Sequence, residues 1–184
     1  MNAETILEAF DTSRLRLRPI SNGDQALYCH LYTDDGTMQH IATPLSVEAA
    51  QRSFFSACAQ QSQDRQRWLI QESSSHQDIG LVALFAKDDV AEIGIMLIAS
   101  AHGRGLATEA MAAIVDRAFI DGSMRLLWIR QQVSNVPVVG MMQLLGFARL
   151  PTSGPDAIEV RWDLSRERWL ERQSTMASNQ RRYE

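Results

Sequence analysis

The sequence predicts an α+β fold, a mixed and mostly antiparallel sheet of six to seven strands flanked by about four helices. Three observations lead there. The string TSRLRLRPI alternates Arg14, Arg16 and Arg18 against Leu15 and Leu17, the pattern of a half-buried strand ended by Pro19. Three apolar runs, Arg67–Gln71, Ile79–Ala86 and Glu92–Ile98, are divided by the turn-forming SSSHQD and the acidic turn Lys87-Asp88-Asp89, so they read as an antiparallel meander. The meander gives way to a Gly-bearing turn and a long amphipathic helix, a change of period from two to 3.6.

The remaining elements follow in chain order. Residues 1–11 form a polar-apolar leader. After the first strand, Ser21, Asn22 and Asp24 offer caps for a helix with Leu27, Tyr28 and Leu31 at helical spacing. A loop from Thr33 to Leu45 leads to a second helix near Ser46, with Ala50, Phe54 and Cys58 on one face. In the long helix, Leu106, Ala110, Met111, Ile114, Val115 and Ala118 trace the apolar stripe up to the stop signal Asp121-Gly122. Leu126–Gln132 reads as a strand, and a shorter helix from about Pro137 to Leu145 ends at Gly146. Its Met141, Met142, Leu144 and Leu145, with Phe147 beyond, read as core. Two strands near Phe147–Leu150 and Ile158–Leu164 close the order, and the chain past Trp169 reads as a frayed polar tail.

At 184 residues, the chain is the length of one domain, with its core at about 12–170 and a polar tail at 171–184. Net charge is −4, distributed as −5 over residues 1–90 and +1 over 91–184, so duplex DNA, which needs a clear basic excess on one face, is not expected as the main partner. Cys29 and Cys58 form no CxxC pair and the N-terminus lacks the order of a signal peptide, which predicts a reduced, cytoplasmic protein. The longest charge-free run, Gln131–Ala148, carries Gln, Ser, Asn, Pro and Gly, so no membrane span is expected. The histidines, His30, His40, His76 and His102, have no ligand spacing, and no metal is assigned.

The segment EIGIMLIASAHGRGLATEAM, residues 92–111, carries the chemistry. Gly103 and Gly105 flank Arg104 between a strand and a helix, where orphan N–H groups and the positive end of the helix dipole attract an anion, and glycine leaves room for phosphate. A plain Gly-rich turn is the alternative on this motif alone. A nicotinamide-binding reading fits less well, because three strands with antiparallel turn signals precede the motif and residues 125–132 end in Gln-Gln instead of an acidic residue.

The same segment resembles motif A of the GNAT superfamily of acetyl-CoA-dependent N-acetyltransferases, whose Q/R-x-x-G-x-G/A falls on His102, Gly105 and Ala107. The opening TSRLRLRPI, Trp68, ATEAM, Asn135, LLGF at 144–147 and VRWDLSRERW resemble the branch that acetylates the N-termini of ribosomal proteins. The likeness spans about residues 12–170. It implies acetyl-CoA as the acyl donor, bound in a cleft between splayed strands at 92–98 and 126–132. The pyrophosphate would lie on the backbone N–H groups of Gly103, Arg104, Gly105, Leu106, Ala107 and Thr108, with His102 at the motif's first position making one donor contact, and the pantetheine arm beside Ile95, Met96, Leu97 and Ile98. Asn135 would contact the donor near the thioester. Two positions depart from the pattern: His102 replaces Gln or Arg, and Val138 stands where the family often has Ser.

A base can be argued from the chemistry. The attacking amine must be neutral, yet a lysine-type amine near pKa 10.4 is almost wholly protonated at pH 7, and an α-amine near 7.7–8.0 is about a tenth neutral. Glu92 lies eight residues before Ser100, which at roughly 3.3 Å per residue places it a pantetheine length from the phosphate turn, and strand parity groups it with Gly94 and Met96. The alternative for Glu92 is a cross-strand ion pair, and for Asn135 a helix N-cap. Asp34, Asp35, Met38, His40 and the loop Pro151–Ala157 are candidates for the acceptor side. The expected activity is acetyl transfer to a primary amine, of a protein N-terminus or a small molecule, without an acyl-enzyme. The rival is a CoA-binding regulatory module without turnover. A homodimer is compatible with both.

Overall fold

The computed structural model describes residues 8–180, apart from 121, 153 and 155. Its strands are β1 (Phe10–Asp11), β2 (Leu15–Pro19), β3 (Arg65–Glu72), β4 (Asp78–Lys87), β5 (Val90–Leu97), β6 (Leu126–Gln132), β7 (Ala148–Arg149) and β8 (Glu159–Ser165). They form one sheet in the order β1-β2-β3-β4-β5-β6-β8-β7. Only β5 and β6 run parallel. The predicted α+β mixed sheet is therefore present, one strand larger than expected because the two-residue β1 pairs onto β2.

The helices are α1 (Gln25–Thr33), α2 (Asp35–Met38), α3 (Val47–Ala59), α4 (Leu106–Ile120), α5 (Val136–Leu145) and α6 (Arg166–Gln180). In α4 all six predicted stripe residues are buried, packed where the helix crosses β2 and β5. Leu106, Met111, Ile114 and Val115 each contribute roughly 1.5–3 kcal/mol by leaving water. α1 packs on α3 and against β4, stacking Tyr28 on Tyr32 at 4.5 Å and setting Tyr28 edge-on to Phe54. Ser46 caps α3 by accepting the Ala49 N–H, and Gly146 ends α5 at φ 90°.

Three expectations are corrected. The loop from Thr33 to Leu45 contains α2, because Asp34 accepts both the N–H and the hydroxyl of Thr37 and so starts a helical turn. The tail past Trp169 is helical through Gln180. Trp169 packs on Phe119 and donates to Asp116 at 2.7 Å, and Gln173, one turn later, donates to the same carboxylate. Residues 181–184 of that tail lie outside the described residues. Within the α5 group, Met142 and Phe147 are core and Leu145 is partly buried, whereas Leu144 is exposed, since its position on the helix turns away from the sheet.

Candidate active site

The parallel pairing of β5 with β6 lasts for three rungs, Val90 with Leu126, Ala91 with Leu127 and Glu92 with Trp128. Beyond Glu92 the strands part. β5 keeps its antiparallel pairing with β4 up to Leu97, and β6 keeps its pairing with β8 up to Gln132, so the gap opens inside an otherwise continuous sheet. A cleft of about 490 Å³ fills the fork. It is lined by Glu92, Gly94 and Met96 of β5, together with Ile93 and Ile95 of the opposite parity, and by Asn135, Val138 and Met141 before and along α5. Met141, read as core, thus also lines the cleft.

The Gly-bearing turn leads from β5 through a 3₁₀ turn at Ala99–Ala101 into α4. Gly103 and Gly105 adopt φ of +70° and +75°, left-handed values that L side chains resist. A Cβ at Gly103 would meet open space, and one at Gly105 would come no nearer than 3.6 Å to Arg14. The glycines are therefore required by backbone direction and leave the outer surface of the turn clear. The first helical-type bond runs from the Glu109 N–H to the Gly105 carbonyl, so the amides of Leu106, Ala107 and Thr108 have no acceptor one turn back. This fits the anionic groups of a CoA donor.

The charged side chains around this turn are occupied in bracing it. Glu109 accepts from the Thr12 and Ser13 hydroxyls and from the backbone N–H and Nε of Arg14. Burial raises its carboxyl, but these hydrogen bonds outweigh that and hold it at about 2. Arg14 also donates Nη1 to the Arg104 carbonyl at 3.0 Å. The Arg104 guanidinium turns to Glu72, whose carboxyl it holds below the usual range, so Arg104 presents only its backbone to the turn. His102 donates Nε2–H to the Leu97 carbonyl at 2.9 Å, the donor role following because a carbonyl oxygen only accepts. Of the pantetheine candidates, Ile95 and Met96 line the cleft. Leu97 and Ile98 instead point into the core, and the Ile98 N–H is taken by the Ile79 carbonyl.

Glu92 stands at the crotch of the fork with its side chain one-third exposed. Its Oε1 lies 3.5 Å from Nη2 of Arg130 on β6, so the cross-strand pair is present, though long. Nε of Arg130 reaches Glu159 of β8 at 3.8 Å. Asn135 occupies the N-cap position of α5 without the capping bond, and its side-chain amide bonds to no other described residue. On the acceptor side the expectations divide. His40 lines the cleft and shares a 3.3 Å hydrogen bond with the Ser134 hydroxyl across its mouth. Asp34 is spent capping α2, Asp35 is exposed and away from the cleft, and Met38 is buried core, because that segment is helical. The loop Pro151–Ala157 contains two positions outside the described residues.

Sequence reasoning missed Tyr28, Tyr32, Arg67, Phe85 and Arg130, which line the same cleft from α1, β3, β4 and β6. Burial, with the neighbouring Tyr28, pushes the Tyr32 phenol up. The strand parity of Arg67, Ala83 and Gly94 would have found one face, but not that α1 roofs it. Among the described residues, no three His, Cys, Asp or Glu side chains group as a metal site, and no helix is long and apolar enough to cross a membrane.

Comparison with known proteins agrees with this architecture. A family model described as an acetyltransferase (GNAT) domain matches residues 14–148. Spermidine N-acetyltransferase from Vibrio cholerae, solved with CoA and spermine, superposes with TM-score 0.74 at 18% identity, covering 86% of this chain and 99% of that one. A GNAT-family acetyltransferase from Bacillus anthracis gives 0.73 at 15% identity over 86% and 99%. The aminoglycoside acetyltransferase AAC(6')-Ib with coenzyme A gives 0.71 at 19% over 85% and 98%. No curated protein matches by sequence.

Proposed function

The chain belongs to the GNAT acetyltransferase family, whose acyl donor is acetyl-CoA, and from that premise we propose that it transfers acetyl to a primary amine by direct attack, with Glu92 as general base. The observation that carries this reading is the place of Glu92 on the last rung before β5 and β6 separate. Structural relatives solved with CoA are named for acetylating spermidine and aminoglycosides, which supports an amine as acceptor. The α-amine of a protein N-terminus and a small-molecule amine both fall within it.

In this reading the amides at the start of α4 take the pyrophosphate, and the unpaired edge of β5 at Ile95 and Met96 takes the pantetheine arm. The acetyl group then lies near Glu92. The amine nitrogen gives its proton to the Glu92 carboxylate as it bonds to the thioester carbonyl carbon. The Asn135 amide, without another partner, donates to the donor close to that carbonyl. The C–S bond breaks, and the CoA sulfur leaves as thiolate to be protonated from water. Val138 supplies no proton and none is needed: a thiol near pKa 8.5 is only about 1.5 units above neutral pH, about 2 kcal/mol. Neither cysteine lines the cleft, in keeping with transfer without an acyl-enzyme.

The test is release of free thiol from acetyl-CoA against a panel of N-terminal peptides, lysine-bearing peptides and small amines. Turnover with at least one is expected. Tight acetyl-CoA binding with no turnover on any would overturn the reading in favour of a CoA-binding module.

A further inference from the structure

The charge layout of the cleft points to the acceptor. Four formally charged side chains line it: Glu92, Arg130 and Glu159 at one end, and Arg67 at the other. Both glutamates share Arg130, which leaves that end with one net negative charge. Arg67 has no carboxylate partner among the described residues. Its Nη1 donates to the Ala57 carbonyl near the end of α3 and its guanidinium lies 4.9 Å above the Phe85 ring, two contacts that fix its position. Nε and Nη2 bond to no other described residue. The head of Arg67 is thus a positioned, half-buried cation with two donors left over, facing a cleft.

The register relates the two ends. Arg67 pairs with Ala83, Ala83 with Gly94, and Glu92 is two residues along β5 from Gly94, so all four side-chain positions share one face. Two strand spacings and two residues of rise separate the Arg67 and Glu92 backbones by about 12 Å. Phe85, over whose ring the Arg67 guanidinium lies, is the cross-strand partner of Glu92, so both heads serve one part of that face, within reach of a single small molecule.

We infer that the acceptor carries an amine and a carboxylate in the same molecule, the amine meeting Glu92 and the carboxylate the free edge of Arg67. The inference rests on the transferase reading above. A polyamine has no group for Arg67 and sets like charge against it. A carboxylate satisfies it through the fork geometry that guanidinium offers. Free amino acids supply this chemistry, and so do peptides that begin with an acidic residue.

The experiment compares kcat/KM for free amino acids, for the same amino acids as carboxamides, for spermidine, and for tripeptide amides beginning with Asp or Asn, in the native protein and in Arg67→Gln and Arg67→Lys. The native protein is expected to prefer an acid over its amide by about tenfold or more, the size of one charge-assisted hydrogen bond. Arg67→Gln should bring that preference within about threefold through KM for the acid, and Arg67→Lys should retain part of it. An Arg67-dependent preference for Asp over Asn peptides alone would support the rule with a peptide as its source. Calorimetry with acetyl-CoA reports whether each variant is folded; if Arg67→Gln is not, the native acid-to-amide ratio decides. Amides or spermidine used as well as acids, or a preference that survives in Arg67→Gln, would overturn the inference while leaving the transferase intact. No thiol release with any amine would instead remove its premise.

Discussion

The two ends of the site are built by opposite means. At the turn into α4 the groups left free are backbone amides, and every charged side chain nearby is used up inside the protein: Arg14 on Glu109 and the Arg104 carbonyl, Arg104 on Glu72. At the fork the polar groups are side chains from different elements, joined by long contacts of 3.3–3.8 Å between His40 and Ser134, Glu92 and Arg130, and Arg130 and Glu159. The first region is braced by short hydrogen bonds and specified by two glycines and a helix start. The second can exchange its internal partners for a substrate's, because each pair is partly exposed and individually weak.

The sharpest way to break this contrast is at Glu92. Glu92→Gln keeps the shape and removes the basicity, so turnover should fall by roughly 10²–10⁴-fold while calorimetric acetyl-CoA affinity holds. The deficit should narrow as pH rises past the amine's own pKa. A loss under about threefold with every accepted amine would make Glu92 only the partner of Arg130. At the other end Gly105→Glu adds a carboxylate among the amides and forces a side chain onto φ +75°, and should weaken acetyl-CoA binding on the order of 100-fold. Gly103→Ala, with open space at its Cβ, should cost less than about tenfold.

Glu109 tests whether the first end is as firmly braced as its contacts indicate. Its folded carboxyl at about 2 lies below the unfolded value near 4.3, so the stability it contributes is complete above that value and is lost as pH falls toward 2. Thermal melts should show Glu109→Gln destabilised by about 2 kcal/mol at pH 7, with the gap closing between pH 4.3 and 2. A gap independent of pH would mean that packing alone holds the turn. The smallest effect belongs to Val138→Ser: restoring a hydroxyl should change turnover by less than tenfold, because the leaving thiolate needs little help. Activity that exists only in the serine variant would identify the native chain as a binding module.

Sequence pattern reached the two regions unequally, for a physical reason. The strand at Leu126–Gln132 and the α4 stripe were legible because period and burial coincide there. The turn was legible because Gly103 and Gly105 declare a backbone conformation. Yet the clamp on Glu109 comes from Thr12, Ser13 and Arg14, far away in the chain, and no local signal links them. Arg67 was hidden in the same way: in β3 it reads as the last of a polar run that opens the strand, and only the placement of α1 and α3 makes it a cation at a cleft. The helix α6 escaped notice because its sequence is polar almost all round and its hold on the body runs through Asp116 of another helix.

The three-rung junction between β5 and β6 has a mechanical consequence. The sheet consists of a five-stranded block and a three-stranded block riveted along a short seam. In the proposed reading a donor lying in the fork would take the position of the missing rungs and so work as a removable strand as well as a reactant. Binding then changes how the molecule comes apart. Free, the amides that face the fork beyond the third rung should exchange with solvent faster than those of the paired rungs; loaded, they should be protected, and product release would also loosen the sheet.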